Sequence, residues 1–142
     1  MTNSTTKPVI LYAEDDFDDY DAIKEALEQL TSNFILVHVK NGLEAVEYLK
    51  KKEQKPDLLV LDLNMPIMDG KEVLVWAKEE AGLKDIPVMI FTTSSREEDI
   101  KLCQKYHCTF FRKPTLYRDL LHIVQTMLQM ANQKTITTVI DH

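Results

Sequence analysis

A chain of 142 residues, 44% hydrophobic and 28% charged, suffices for one packed domain and is too apolar for disorder to be its resting state. Its formal net charge of -6 repels phosphate backbones on average, which argues against nucleic-acid binding by the domain as a whole. The N-terminal MTNSTTKP has no apolar signal core, and no run nears the ~20 apolar residues of a membrane span, so the expectation is a cytoplasmic protein without membrane contact.

Val9–Ala13 opens the folded part as an unbroken apolar run, the pattern of a strand covered on both faces. Glu14, Asp15 and Asp16 follow. Phe17, Tyr20, Ile23, Leu27 and Leu30 then recur every three or four residues, the stripe of an amphipathic helix. Phe34–Val39 reads as a second strand. Asn41, with Glu44 three residues on, suits a helix N-cap with a returning acid, and Leu43, Val46 and Leu49 carry that helix's apolar side. Leu58–Leu61 is a third, fully apolar strand. It runs into Asp62, after which Asn64, Met65 and Pro66 break the pattern and Asp69 with Glu72 signs a third helix. Val88–Phe91 is the fourth strand, followed by Thr92, Thr93 and Ser94, with Ser95 and Glu98 placed to start a helix. Thr109–Phe111 is the fifth strand and leads to Lys113 and Pro114. Thr115 is suited to cap a last helix with Leu120, Leu121, Val124 and Leu128 on one side.

Strand and helix thus alternate five times, which predicts an α/β fold: a doubly wound five-stranded parallel sheet with five flanking helices and right-handed crossovers. Residues 1–7 and 132–142 read as tails around a domain at 8–131, with no output domain after it, although TITTVI near the end could pair as a strand. Cys103 and Cys108 are too few for a disulfide framework or a four-ligand zinc site, and read as reduced, part-buried thiols.

Ligands of an open α/β sheet gather outside the carboxyl ends of its strands. At those ends stand Glu14, Asp15 and Asp16, then Asp62 and Asn64, then Thr92, Thr93 and Ser94, then Lys113-Pro114. Singly, each has an ordinary explanation. EDD suits a helix start, a strand-end Asp forms turns, and a Lys before Pro is usually a solvated loop charge. Their convergence on one edge is what carries meaning. Two carboxylates ~4 Å apart repel by ~4 kcal/mol at an effective dielectric of ~20, so a divalent cation is the natural occupant of such a cluster. Hard oxygen ligands with room for water suit Mg²⁺, and a lysine ammonium suits a phosphoryl oxygen.

These residues resemble the receiver domain of response regulators in two-component signalling. The pieces that match are ILYAEDD, VLDLNMPIMDG around Asp62, VMIFTTSS and FFRKP, in the family's order, with Thr92 thirty positions after Asp62 and Lys113 twenty-one after Thr92. The resemblance covers about residues 8 to 130 and implies a flavodoxin-like sheet. It implies that Asp62 is the phosphoacceptor, attacking a phosphohistidine on a sensor histidine kinase or a histidine phosphotransfer protein. Mg²⁺ or Mn²⁺ would be held by Asp15 and Asp62 directly, by Glu14 through water, and by the backbone carbonyl of Asn64. Thr92 and Lys113 would bond phosphoryl oxygens, and the Lys113–Pro114 peptide would be cis.

Two positions depart from the family's pattern. Phe110 stands where a tyrosine is common and can repack inward but cannot donate a hydroxyl hydrogen bond. Thr93 stands where Ala or Ser is common and adds a methyl group near the entrance. Ser94 sits beside it where the family tunes hydrolysis. The SSREED…FFRKP half resembles stand-alone receivers that partner bacterial phytochromes. The implied activity is self-phosphorylation and slow autodephosphorylation rather than enzymatic turnover. The implied readout is a face made of the fourth helix, fifth strand and fifth helix, including Ile100, Tyr106, Phe110, Leu116 and Tyr117. Through it the domain would bind a target or a second copy of itself, pass phosphate on, or act as a phosphate sink.

Two other classes share parts of the pattern. A haloacid-dehalogenase-type phosphatase needs an acid where Asn64 stands. A flavodoxin-like electron carrier needs a Gly- and hydroxyl-rich loop where EDDFDD would repel the flavin phosphate.

Overall fold

The computed structural model describes residues 6–51, 53 and 55–133. The order is β1 (Val9–Ala13), α1 (Phe17–Leu30), β2 (Ile35–Val39), α2 (Gly42–Lys50), β3 (Leu58–Leu61), α3 (Gly70–Glu79), β4 (Val88–Thr92), α4 (Glu97–Lys105), β5 (Thr109–Arg112) and α5 (Tyr117–Ala131). All strands pair in parallel in one sheet ordered β2-β1-β3-β4-β5. The carboxyl ends of the strands therefore lie along a single edge.

The alternating directions of side chains along a strand build two cores. Ile10, Tyr12, Leu58, Val60, Met89 and Phe91 face α1 and α5, meeting Ile23, Leu27, Ile123, Val124 and Met127. Leu11, Ala13, Leu59, Leu61, Val88 and Ile90 face the opposite side, where Ala45, Val46, Leu49, Val73, Leu74, Ala77 and Cys103 from α2, α3 and α4 pack. Central β1, β3 and β4 are buried at every position, as their unbroken apolar runs predict, whereas edge strands β2 and β5 are only part-buried. Phe17, Leu30 and Leu43 lie at helix ends and stay exposed although they share the apolar stripes.

Helix starts follow the sequence in part. Asn41 caps α2 by accepting from the Glu44 N–H, and Asp69 with Glu72 forms a complete capping box on α3. Ser95 does not cap α4. That helix begins after Arg96 without a side-chain cap, so Ser95 stands one residue before the N-cap position, while the neighbouring Ser94 Oγ donates to buried Asp99 Oδ2 at 2.7 Å and accepts from Arg96 N–H at 3.3 Å. Nor does Thr115 cap α5, which begins after Leu116, one residue too late for a Thr115 hydroxyl in the N-cap position. The Lys113–Pro114 peptide is trans, there being no cis bond among the described residues. Trans is the intrinsically lower form by roughly 0.5–1 kcal/mol, and in it the Lys113 N–H still reaches the Thr92 carbonyl oxygen at 2.8 Å. The TITTVI segment lies outside the described residues, as does most of the expected C-terminal tail.

Candidate functional site

Three of the candidate residues are mounted by ladder bonds that continue just past their strands. Glu14 N–H donates to Val39 O at 2.9 Å, Asp62 N–H to Ala13 O at 3.2 Å, and Lys113 N–H to Thr92 O at 2.8 Å. The sheet thereby fixes three charged residues from distant parts of the chain at one edge. Gly70 makes the packing behind Asp62 possible, because a Cβ there would collide with the Asp62 carbonyl oxygen.

At the centre lies the Lys113 ammonium. It bonds Glu14 Oε1 at 2.8 Å, Asp19 Oδ2 at 2.7 Å and Asp62 Oδ2 at 2.9 Å. The other Asp62 oxygen, Oδ1, accepts from the Asn64 N–H at 3.1 Å. Tyr12 OH donates to Glu14 Oε1 at 2.9 Å. Glu14, Asp15 and Asp62 can each turn one oxygen into a group whose members lie within 4.8 Å of one another, a set of hard donors that could hold a metal ion. Glu14 and Asp62 are buried while Asp15 is exposed, which leaves one side of the cluster open to water.

Electrostatics reflect this crowding. Burial pushes the Glu14 carboxyl up to about 7, the nearby Asp62 charge adding to it, against hydrogen bonds from Lys113 and Tyr12 that hold it down. Burial would by itself lower the Lys113 pKa, but hydrogen bonds to Asp19, Glu14 and Asp62 outweigh it and hold the ammonium charged above the ordinary lysine range. One cation facing four carboxylates leaves the pocket with an excess of negative charge, the condition under which a divalent ion binds.

The remaining candidates sit around this centre. Thr92 is fully buried at the end of β4, its Oγ1 accepting from Ser94 N–H at 3.4 Å. Thr93 is exposed, and Asn64 is exposed beside Asp62. Phe110 pairs with Ile90 across the sheet and packs part-buried against the core on the α3–α4 side. Pro114 is part-buried directly after Lys113. Ile100 and Tyr106 are part-buried, and Leu116 and Tyr117 exposed, so the fourth-helix, fifth-strand and fifth-helix face combines both kinds of surface.

Three participants escaped the sequence reading. Asp19 bonds Lys113 directly; Tyr12, read only as a core residue, orients Glu14. His38 Nε2 lies 2.7 Å from the Glu14 backbone oxygen and stacks on Tyr20 at 3.9 Å between ring centroids. The signal for Asp19 was present, since it stands three residues after Asp16, where the N-cap side chain fixes its N–H, and so on the helix turn nearest the edge.

Comparison with known proteins agrees with this geometry. Residues 10–125 match the family profile described as the response regulator receiver domain. Response regulator Rcp1 of Synechocystis sp. is 34% identical over 132 residues, 88% of this chain and 90% of that protein. The crystal structure of the phosphorylated cyanobacterial phytochrome response regulator RcpA superposes with a TM-score of 0.79 at 35% identity, covering 87% of this chain and 92% of that one. The Mn(2+)-bound form of Rcp1 gives a TM-score of 0.78 at 34% identity, covering 86% and 92%.

Proposed function

Because the chain belongs to the response regulator receiver family, and so serves as a phosphoacceptor in two-component signalling, we propose that Asp62 is the residue that takes the phosphoryl group. The carrying observation is that a buried Asp62 is met on one oxygen by the Lys113 ammonium and on the other by the Asn64 N–H. Contacts of this kind would hold a nucleophile in one orientation, and phosphoryl transfer asks chiefly for placement and charge neutralisation.

In this reading an Asp62 oxygen bonds to the phosphorus of a donor phosphohistidine. The phosphorus–nitrogen bond breaks, the electron pair leaves with the imidazole, and an acyl phosphate results. Lys113 Nζ and the Thr92 hydroxyl bond phosphoryl oxygens. Glu14, Asp15 and Asp62, with the Asn64 carbonyl, would hold Mg²⁺ or Mn²⁺, which supplies neutralising charge. The fit rests on the three converging carboxylates and on the rise in the Glu14 pKa that its own burial and the nearby Asp62 charge cause. Water reaching the acyl phosphate past Thr93 and Ser94 would reverse the modification slowly.

The donor is a sensor histidine kinase or a histidine phosphotransfer protein. Occupation of Thr92 and Lys113 biases a two-state surface, Phe110 moving inward as Thr92 shifts, and the face of α4, β5 and α5 meets a target protein or a second copy of the chain. Membership of the receiver family supports a cytoplasmic setting; among the described residues no helix is long and apolar enough to cross a membrane. Incubation with acetyl phosphate and Mg²⁺, read by intact mass, is expected to give one phosphoryl adduct on the wild type and none on Asp62→Asn. An adduct on both would place the acceptor elsewhere. Beryllofluoride loading is expected to shift NMR resonances on α4 and β5, and shifts confined to the Asp62 pocket would refute the switch.

A further inference from the structure

An ammonium has three N–H donors, and those of Lys113 are all engaged, by Glu14, Asp19 and Asp62. The three acceptors are not equivalent. The Glu14 and Asp62 side chains are 1% and 7% exposed and belong to the carboxylate cluster, whereas that of Asp19 is 41% exposed and lies outside it. Asp19 is placed by its own helix. Asp16 caps α1 by accepting the Asp19 N–H at 3.0 Å, which fixes the backbone at the first turn, and the carboxylate reaches Lys113 across ninety-four residues of sequence.

We propose that Asp19 competes with the incoming phosphoryl group for the Lys113 ammonium and so sets how readily Asp62 is phosphorylated. The proposal rests on the reading of Asp62 as phosphoacceptor. A phosphoryl group brings roughly -1.5 to -2 charges to an atom that shares its ammonium with Asp19. Two bonds of 2.7 and 2.9 Å to one nitrogen keep the Asp19 and Asp62 oxygens within 5.6 Å of each other. Lys113 has no fourth donor, so a phosphoryl oxygen gains the ammonium only when an existing bond opens. Glu14 is enclosed, so losing its Lys113 bond would leave a buried carboxylate without its cation. Asp62 gives up its carboxylate charge on modification, and the half-exposed Asp19 is then the charged acceptor outside the cluster that contests the ammonium with the phosphoryl oxygen. Its charge also opposes the phosphoryl charge directly. Asp19 acts through Lys113 and is a positioning residue that works against the modified state.

Part-exposed charge pairs are screened, so the expected effect is about three- to tenfold. The test combines ¹⁹F NMR titration of beryllofluoride in saturating Mg²⁺ with the rate of adduct formation from acetyl phosphate. In the latter an Asp62 oxygen bonds to phosphorus and acetate leaves with the electron pair, with no net proton change. Asp19→Asn keeps an oxygen acceptor but no charge, and Asp19→Ala keeps neither. Both are expected to lower the half-saturating beryllofluoride concentration by that factor and to speed adduct formation, with the bound amplitude at saturation unchanged. Asp18→Asn removes a neighbouring exposed charge with no bond to Lys113 and is expected to stay within about twofold of wild type. If Asp19→Asn binds equally or more weakly, or if Asp18→Asn gives the same gain, the competition is refuted. Labelling of Asp62→Asn would instead overturn the phosphoacceptor reading, a separate result from an unresponsive Asp19→Asn.

Discussion

Tyr12 and Glu14, two residues apart on β1 and its extension, are joined by a 2.9 Å hydrogen bond from the phenol to Oε1, in a region closed to solvent. That oxygen also takes a Lys113 donor, so Glu14 stays partly ionisable despite its burial. Tyr12→Phe is expected to cost about 1 kcal/mol in urea denaturation. It also removes an interaction that favours the ionised carboxylate, so apparent Mg²⁺ affinity is expected to fall about threefold at pH 7 and to recover at pH 9, where Glu14 is ionised either way. A deficit of equal size at both pH values would contradict this account.

The same carboxyl links stability to pH. Burial raises the Glu14 pKa from 4.5 to about 7, so its contribution is complete below 4.5 and is lost as pH rises through 7. Metal-free protein in EDTA is expected to lose up to about 3 kcal/mol of stability over that interval. Glu14→Gln should flatten the loss, and saturating Mg²⁺, which binds the ionised form, should reverse its slope. Thermal melts across pH would check all three.

Asp99 is a second buried acid, held by Ser94 Oγ at 2.7 Å and Arg96 Nε at 3.2 Å, with Lys71 Nζ 3.5 Å away. Burial works to raise its pKa, but these three partners outweigh it and set it below the ordinary carboxylate value. The stability it contributes is therefore present at neutral pH and lost only as acid titrates the folded carboxylate. Lys71 and Arg96 can rehydrate, so Asp99→Asn is expected to cost about 1–2 kcal/mol rather than the larger penalty of a fully enclosed pair. Hydrogen exchange should rise at the start of α4, which has no side-chain cap and is tied to the preceding loop through Asp99.

Ile67 holds a positive φ of 70° while 77% exposed. A β-branched residue is strained there and gains little burial in return. Ile67→Asn, which tolerates this backbone region, is expected to stabilise the protein by about 1 kcal/mol and raise Tm by about 3 °C.

Gly70→Ala should have the opposite sign. The new methyl would press on the Asp62 carbonyl, moving the tip of β3 and costing about 2–3 kcal/mol in urea denaturation. Adduct formation from acetyl phosphate is expected to drop at least tenfold, since small misplacements of a nucleophile are costly.

How much of this could be read from residues alone differs by level. The unbroken apolar runs of β1, β3 and β4 announced a sheet covered on both sides, and the acids, hydroxyls and lysine after the strands announced its working edge. The caps at Asn41 and Asp69 were equally legible because each depends on residues three apart. Ser95 and Thr115 misled for a local reason: each helix starts one residue later than the hydroxyl would require, with Arg96 and Leu116 in the N-cap positions. Asp19 and Tyr12 were missed for a distant one. The role of Asp19 depends on a lysine ninety-four residues away, whose approach follows from the ordering of five strands.

The outermost position of β5 has a consequence for biosynthesis. Asp62 leaves the ribosome fifty-one residues before Lys113, its eventual counter-ion. At roughly 5–20 residues per second, the growing polypeptide carries its acids for several seconds before the neutralising amine is made. Until then cellular cations must offset that repulsion, and the final edge strand closes the sheet and brings in the protein's own positive charge together.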